Sequence, residues 1–290
     1  MFKGSMVALV TPFKSGKVDE KALKELVEFH IKNGTTALVP CGTTGESATL
    51  SYAEHDKVIE KTVEYAGGRI PVIAGTGSNS TEEAIALTKH AKSSGANASL
   101  QVSPYYNRPT QKGLYLHFKA IAEAVDIPII LYNIASRTGV NIEPETMAKL
   151  SQVKGIIGVK EASGSLEQMA RIKKVCNKDF LLISGDDALT LPVMAIGGVG
   201  IISVVANIIP KDVADMCRAF DKGDLKKAKE LHYGMLDLVK AMFVETNPIP
   251  VKTAMGILKM CEAEMRLPLC EMLPENKEKL IKAMKEYKLI

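Results

Sequence analysis

Short apolar runs alternate along the chain with longer segments in which apolar residues recur at helical spacing. The apolar runs have the length of strands, and most are apolar throughout rather than at every second position. That pattern is typical of strands that are covered on both faces. The eight predicted strands are Met6–Val10, Ala37–Pro40, Pro71–Ala74, Ser99–Val102, Ile127–Tyr132, Ile156–Lys160, Phe180–Ser184 and Gly200–Val204.

Each predicted strand is followed by a segment with the pattern of an amphipathic helix. The first of these segments ends at Asn33-Gly34, a common helix stop. The third opens with Ser80-Thr81-Glu82-Glu83, the pattern of a capping box. The eight predicted helices are Val18–Asn33, Ser51–Tyr65, Thr81–Ser94, Gly113–Val125, Glu143–Gln152, Ser165–Cys176, Ala188–Ile196 and Pro210–Phe220.

Eight strand–helix units in succession predict an α/β fold, a (β/α)8 TIM barrel, with a doubly wound open sheet as the alternative. After Phe220 the pattern contains no further strand. It predicts three more helices, Asp224–Val244, Val251–Glu264 and Pro274–Tyr287, and the prolines at positions 248 and 250 separate the first two. We therefore expect a catalytic barrel domain over residues 1–223 and a C-terminal helical domain over residues 224–290.

Composition and charge narrow the class of protein. The 290 residues are 46% hydrophobic and 24% charged, as in a folded protein rather than a disordered one. The net charge of +4 is spread without a block of Lys and Arg, so no nucleic-acid partner is expected. No apolar run reaches the ~18 residues of a membrane span. The five cysteines are scattered and no signal peptide is visible, which predicts reduced thiols and a cytoplasmic protein.

Several motifs of metal and nucleotide enzymes are missing from the sequence. There is no phosphate-binding loop and no His-Glu-x-x-His, and Gly75-Thr76-Gly77 lacks the third glycine of a dinucleotide turn. The five histidines stand singly inside helical patterns, where a surface or packing role is the simpler interpretation. We therefore predict no metal and no cofactor.

In a TIM barrel the chemistry takes place at the carboxyl ends of the strands. Lys160 stands at such an end, directly after the apolar run Gly155–Val159. Burial disfavours the charged form of a lysine, and a neutral amine can attack a carbonyl to form a Schiff base. The alternative is a structural lysine paired with a carboxylate such as Glu161 or Asp186.

Other strand ends carry groups suited to small acids. Gly42-Thr43-Thr44-Gly45 offers backbone N–H groups and two hydroxyls at a predicted helix start, which suits a carboxylate or is a simple cap. Tyr132 is either a proton relay or a packed aromatic residue. Arg137 follows in the next loop and is typical of a bidentate carboxylate clamp. Together with Lys160 they predict a pyruvate-type 2-oxo acid held as an imine, whose enamine attacks an acidic aldehyde.

An ordered set of short motifs spans nearly the whole chain and resembles one family. On these motifs the chain is similar to the dihydrodipicolinate synthase family, within the N-acetylneuraminate lyase superfamily of class I aldolases. The motifs are Val10-Thr11-Pro12-Phe13, Gly42-Thr43-Thr44-Gly45-Glu46, Ile73-Ala74-Gly75-Thr76-Gly77, Pro104-Tyr105-Tyr106-Asn107-Arg108-Pro109, Leu131-Tyr132-Asn133, Arg137-Thr138-Gly139, Val159-Lys160-Glu161-Ala162, Ser184-Gly185-Asp186-Asp187, Asn247-Pro248-Ile249-Pro250-Val251-Lys252 and Arg266-Leu267-Pro268.

The resemblance implies an activity and a role for each site residue. The implied reaction condenses pyruvate with L-aspartate 4-semialdehyde, in the synthesis of lysine and diaminopimelate. By resemblance, Lys160 carries the Schiff base; Thr44, Tyr132 and Tyr106 form a proton relay; Thr43 and Thr44 hold the pyruvate carboxylate; Arg137 holds the carboxylate of the semialdehyde; and Gly185 and the backbone carbonyl of Ile202 line the site.

The resemblance also implies an assembly and a regulatory site. The family's counterpart of Tyr106 reaches into the neighbouring subunit's site, which implies a tight dimer and a homotetramer built as a dimer of dimers. The family's lysine-feedback site maps onto Ser47, Ala48, His55, Asn79, Glu83 and Tyr105. Tyr52 stands where a histidine is common, and Ala135 replaces a usual proline in the loop before Arg137. From the substitution at position 52 we expect weak to moderate inhibition by lysine.

Two other functions stay open at this point. Another pyruvate-dependent aldolase, such as N-acetylneuraminate lyase or a 2-keto-3-deoxy-sugar acid aldolase, would share the lysine and the tyrosine of strand five. Thr43-Thr44 and Arg137 suit a short acidic aldehyde better than a polyol. A non-catalytic sensor of 2-oxo acids is the second alternative, although a sensor has no need of Lys160, Tyr132 and Tyr106 together with Thr44.

Overall fold

Ten strands are present in the computed structural model, which describes residues 2–290. Met1, the first residue of the predicted barrel domain, lies outside the described residues. Eight of the strands are parallel and form the barrel, while β2 and β3 form a separate hairpin. The strands are β1 (Gly4–Ala8), β2 (Phe13–Lys14), β3 (Lys17–Val18), β4 (Ala37–Val39), β5 (Ile73–Gly75), β6 (Ala98–Val102), β7 (Ile129–Asn133), β8 (Ile156–Glu161), β9 (Leu181–Ser184) and β10 (Gly200–Ser203).

The barrel strands are ordered β4-β1-β10-β9-β8-β7-β6-β5, and all neighbours run parallel. The two ends of this sheet meet through a single bridge between Leu38 and Val72. The sheet is therefore a nearly closed barrel, and the open doubly wound alternative is wrong. The predicted TIM barrel is confirmed.

Helices cover the outside of the barrel and continue after its last strand. Their bounds are α1 (Glu20–Lys32), α2 (Tyr52–Ala66), α3 (Thr81–Ser93), α4 (Gln111–Ala124), α5 (Ala135–Thr138), α6 (Pro144–Leu150), α7 (Leu166–Val175), α8 (Thr190–Ala195), α9 (Pro210–Asp221), α10 (Leu225–Ala241), α11 (Ile249–Ile257) and α12 (Pro274–Glu286). Among residues 2–290, no helix combines the length and the apolar character that a membrane crossing requires.

The start of the first helix differs from its prediction. Val18 belongs to the hairpin, and α1 begins at Glu20 because the Asp19 side chain accepts a hydrogen bond from the N–H of Ala22 at 3.0 Å. The hairpin turns at Ser15-Gly16, where both residues have positive φ angles of 50° and 76°. Such a turn matches the twist of a two-stranded ribbon.

The capping box lies on α2 rather than on α3. Ser51 and Glu54 exchange the two hydrogen bonds of this motif. Ser80 does cap α3 by accepting from the N–H of Glu83. The carboxylate of Glu83 accepts instead from the hydroxyls of Tyr52 and Ser78, so it does not complete a box.

Three helices follow the barrel, as predicted, but the middle one is shorter at its C-terminal end. The prediction placed its end at Glu264, whereas α11 ends at Ile257. Lys259 adopts a left-handed conformation with φ of 58°, which stops the helix. The chain then folds back so closely that a Cβ at Gly256 would lie 2.7 Å from the Cβ of Ala263.

The C-terminal helices share a hydrophobic core with the barrel. One continuous cluster contains Val7 of β1, Met242 after α10, Met255 of α11 and Leu280 of α12. A second cluster lies under α4, α6 and α7, and a third fills the barrel interior. The proposed division at residue 224 stays a prediction.

A buried ion pair joins the turn after β4 to α11. The Nζ of Lys252 lies 2.6 Å from Oε1 of Glu46, and both side chains are fully buried. Burial lowers the pKa of Lys252, and the Glu46 carboxylate opposes that shift. The ammonium also lies 4.1 Å from the centre of the Phe13 ring. A cation and an anion that are both desolvated must stay paired, so this contact fixes the turn.

Arg266 makes a second link between the C-terminal segment and the barrel. Its guanidinium binds both carboxylate oxygens of Glu54, at 2.6 and 2.7 Å, and donates to the carbonyl of Thr49 at 3.2 Å. This hydrogen bonding lowers the pKa of Glu54 to about 2. The backbone N–H of Arg266 donates to Oε2 of Glu46 at 3.2 Å. The Glu46 carboxylate therefore takes part both in the ion pair with Lys252 and in the link made by Arg266.

Replacement of Lys252 by Met should lower the free energy of unfolding by about 3–5 kcal/mol, because Glu46 would be left buried and unpaired. Urea denaturation at matched protein concentration measures the change. Lys282→Met removes a cation that is 77% exposed and should change this energy by less than ~0.5 kcal/mol. The double variant Glu46→Gln/Lys252→Met should recover part of the lost free energy of unfolding. A urea midpoint equal to that of the wild type in Lys252→Met would contradict the importance of the pair.

Candidate active site

Lys160 lies where the sequence predicted it, near the carboxyl end of β8. It is paired in register with Tyr132 of β7 and Ile183 of β9. Its side chain is 5% exposed, and its Nζ lies 4.3 Å from the centre of the Tyr132 ring. The amine is thus held inside the barrel mouth against the face of an aromatic ring.

The two carboxylates that could have paired with Lys160 have other partners. Glu161 accepts from Asn133 at 2.9 Å and from the N–H of Ser163 at 2.7 Å. Asp186 accepts from the N–H of Ala188 at 2.9 Å. Among residues 2–290, Lys160 forms no ion pair. Its interpretation as a structural lysine paired with either carboxylate is therefore wrong.

A cavity of about 50 Å³ opens above Lys160, several times the space that one water molecule needs. The predicted residues Thr43, Thr44, Tyr132, Arg137 and Gly185 line it. Within the described chain, no cluster of three or more His, Cys, Asp or Glu side chains is arranged to hold a metal ion. The cavity thus brings together one amine, three hydroxyl groups and one guanidinium.

The turn over residues 42–46 presents backbone donors rather than a helix terminus. Helix α2 begins at Tyr52, next to its predicted start at Ser51, after a short turn of 3-10 helix at Ser47–Thr49, so Gly42–Gly45 does not itself lie at a helix start. The N–H groups of residues 42–45 form no hydrogen bond with residues 2–290. Gly42, Thr43 and Thr44 line the cavity, and their unpaired N–H groups together with the two threonine hydroxyls can hold a small anion.

Arg137 lies on the one-turn helix α5 and points toward the C-terminal segment. Its Nη2 donates to the backbone carbonyl of Asn247 at 3.1 Å. The turn is closed by hydrogen bonds from Arg137 to the carbonyl of Ile134, at 3.1 Å, and from Gly139 to that of Ala135, at 2.9 Å. The guanidinium is therefore tethered at the cavity edge while most of its donors stay free.

Gly185 leaves room for the lysine side chain. A Cβ at this position would lie 3.1 Å from Cε of Lys160 and 2.8 Å from Cβ of Ala162. Ile202 is buried in β10, in the same cluster as Tyr132, and its neighbour Val204 lines the cavity. The predicted role of the Ile202 carbonyl stays a prediction.

Tyr106 is the one predicted catalytic side chain that does not line the cavity. It is 91% exposed and lies on a loop where its own φ is 68° and that of Arg108 is 44°. These left-handed conformations are uncommon outside glycine.

The predicted lysine-binding residues fall into two groups. Glu83 engages Tyr52 and lies close enough to Tyr105 to help burial raise that tyrosine's pKa. His55 is instead buried, with Nε2 2.9 Å from the carbonyl oxygen of Gly75. Burial lowers the His55 pKa. Asn79 presents its carbonyl to Asn107, and Ser47 and Ala48 lie in the short 3-10 turn.

Sequence reasoning missed the two cavity residues that follow the barrel, Phe243 and Asn247. Both follow α10, far along the chain from the barrel strands. In the sequence, the Asn-Pro-Ile-Pro run indicates a helix break and is one of the motifs that resemble the family. Asn247 is 5% exposed, and a buried amide at a proline break was the available signal.

The barrel and its lysine site define a TIM-barrel enzyme. The chain matches the dihydrodipicolinate synthetase family over residues 1–287 and belongs to that family. It is 60% identical over 291 residues to the 4-hydroxy-tetrahydrodipicolinate synthase of Endomicrobium trichonymphae, with both chains fully covered.

Two solved structures are similar over nearly the whole chain. The crystal structure of dihydrodipicolinate synthase from Aquifex aeolicus has a TM-score of 0.98, 55% identity and 99% coverage of both chains. The chloride-inhibited enzyme from Acinetobacter baumannii, complexed with pyruvate, has a TM-score of 0.98, 45% identity and full coverage of both chains.

Proposed function

We propose that the chain is a lyase that condenses pyruvate with L-aspartate 4-semialdehyde to give 4-hydroxy-tetrahydrodipicolinate and water. The observation that carries the proposal is Lys160, a buried amine without an ion-pair partner at the mouth of the barrel. The names of the relatives support the same activity, and the pyruvate complex of the Acinetobacter baumannii enzyme supports the first substrate.

The first half of the reaction fixes pyruvate to the lysine. The amine of Lys160 attacks the C2 carbonyl, and loss of water gives an imine whose protonated form draws electrons from the neighbouring methyl group. The N–H groups of residues 42–45, with the hydroxyls of Thr43 and Thr44, hold the carboxylate. Loss of a methyl proton then gives the enamine nucleophile.

The second half joins the two substrates. The enamine carbon attacks the aldehyde carbon, and the new alkoxide takes a proton from the relay of Thr44 and Tyr132. Arg137 holds the carboxylate of the semialdehyde in this step. The amine of the semialdehyde then attacks the imine carbon and closes the ring. Breaking of the bond to Lys160 leaves the cyclic imine product and frees the lysine amine.

The polarity of the cavity favours this reaction over that of a sugar-acid aldolase. Within the described chain no carboxylate lines it, and Arg137 brings the one guanidinium. Arg137 matches the carboxylate of the semialdehyde, and a polyol aldehyde offers no charge for Arg137 to bind. A sugar-acid aldolase therefore stays the second candidate.

Replacement of Lys160 by Ala should lower turnover by several orders of magnitude, because no other amine among the described residues lines the cavity. Turnover is measured by coupling the reaction to the downstream reductase and recording the loss of NADPH. Borohydride reduction in the presence of pyruvate, followed by peptide mass analysis, should mark Lys160 in the wild type.

Lys154→Ala changes an exposed lysine just before the amino end of β8, away from the cavity, and should leave turnover unchanged. Substrate scope is tested with N-acetylmannosamine and glyceraldehyde as alternative aldehydes, and pyruvate consumption is measured. Activity in Lys160→Ala would overturn the mechanism. Trapping at Lys160 with turnover only of a sugar aldehyde would favour the second candidate.

The exposed Tyr106 supports an assembly in which a second copy completes the site. A tyrosine that is 91% exposed on a strained loop is poorly placed to serve its own cavity. We therefore propose a homotetramer, built as a dimer of dimers, with Tyr106 acting across the tight dimer. The scattered free cysteines favour the reducing cytoplasm as its location.

Mixed dimers of Lys160→Ala and Tyr106→Phe subunits test action in trans. If Tyr106 acts across the dimer, each mixed dimer has one site with both defects and one intact site. Mixing with subunit exchange should then raise the rate well above that of either variant alone. If Tyr106 acts in its own subunit, every site carries a defect and the mixture stays as slow as the variants.

Lysine should inhibit the enzyme weakly to moderately. The Glu83 carboxylate that would bind the ammonium of lysine already accepts from Tyr52 and Ser78, so an added ligand must compete with them. Initial rates measured up to millimolar lysine test this expectation, and Tyr52→Phe should strengthen inhibition by freeing one oxygen. A flat curve for both proteins would disprove the proposed lysine site.

A further inference from the structure

We propose that Asn247 is a positioning residue that sets the direction of the Thr44 hydroxyl during proton transfer. Its side chain is 5% exposed and lines the cavity together with Thr44 and Lys160. The inference rests on the proposed imine chemistry with pyruvate, but it does not depend on which aldehyde is the second substrate.

The contact between Asn247 and Thr44 has a defined polarity. The Nδ2 of Asn247 donates to Oγ1 of Thr44 at 2.9 Å, across 203 residues of sequence. An amide nitrogen donates only, so the hydroxyl acts as acceptor in this bond. The hydroxyl hydrogen of Thr44 is then free to donate elsewhere, and among residues 2–290 it has no other hydrogen-bond partner. Asn247 therefore leaves this proton available to the cavity.

The backbone of the same residue holds the other side of the cavity. Its carbonyl accepts from Arg137 at 3.1 Å. A single residue thus links the group proposed to relay protons with the group proposed to hold the second substrate. The two links are separable, because a change of the Asn247 side chain leaves its carbonyl in place.

Contacts of the residues before and after Asn247 in the chain fix its position. The carbonyl of the preceding Thr246 accepts from the N–H of Ile249 at 2.9 Å, and the Lys252–Glu46 pair anchors α11 to the turn that carries Thr44. The amide is thus presented to Thr44 by a rigid segment. Rigidity is what a positioning role needs, since a mobile amide would not select one hydroxyl orientation.

Exchange of the pyruvate methyl hydrogens for deuterium reports the proton-transfer step without an aldehyde. Asn247→Ala removes the donor and should slow this exchange by about 10- to 100-fold, a part of the 10²–10⁴ that acid–base groups contribute. Asn247→Asp keeps the shape but accepts from the Thr44 hydroxyl, so it should be at least as slow. Borohydride trapping of pyruvate on Lys160 should persist in both variants.

A double-mutant cycle with Thr44→Val separates positioning from a structural role. If Asn247 acts through the hydroxyl, Asn247→Ala should change the exchange rate less than about twofold in the Thr44→Val background. The KM for the aldehyde should change little in Asn247→Ala, because the carbonyl that holds Arg137 remains.

If Asn247→Ala slowed exchange equally in the wild-type and Thr44→Val backgrounds, the inference would be overturned. A wild-type exchange rate in Asn247→Ala would also overturn it. Fast exchange in Asn247→Asp would overturn it as well, because that side chain reverses the polarity of the contact. Failure of trapping in the wild type would instead overturn the proposed function, so the two failures are distinguishable.

Discussion

The buried ion pair between Glu46 and Lys252 is the constraint on which the site depends. Neither charge is exposed, so neither can be separated from the other without a large desolvation penalty. The pair therefore holds α11 against the turn over residues 42–46. Because Thr44 lies in that turn and Asn247 lies just before α11, the same contact sets the distance between them. The C-terminal helices are in this sense part of the active-site wall.

The barrel could be predicted because its strands are covered on both faces and are continuously apolar. The hairpin of β2 and β3 could not, because two-residue strands show no periodicity. The end of α11 was missed for a different reason. Apolar residues continue through Leu258, Met260 and Cys261, and only the left-handed backbone at Lys259 and the close approach at Gly256 end the helix. Neither is visible in a hydrophobic pattern.

The site was predictable where a residue's position alone carries the chemistry. Lys160 stands at the end of an apolar strand, and that placement already distinguishes it from the solvated lysines. Asn247 lies 203 residues from its partner Thr44, so only the tertiary contact shows its polarity. Tyr106 presents the opposite difficulty. Its exposure is visible in one chain, but the proposed action across a dimer needs a second copy for comparison.

The distribution of carboxylates keeps negative charge out of the cavity. Glu46 is neutralised by Lys252, and Glu161 is enclosed by the amides of Asn133 and Gln168. Burial raises the pKa of Glu161, which weakens its negative field further. No carboxylate of the described chain therefore lines the cavity, and Lys160 and Arg137 meet the substrates without internal competition. The positive charge at the cavity is therefore not cancelled, because the nearby carboxylates are paired or hydrogen-bonded outside it.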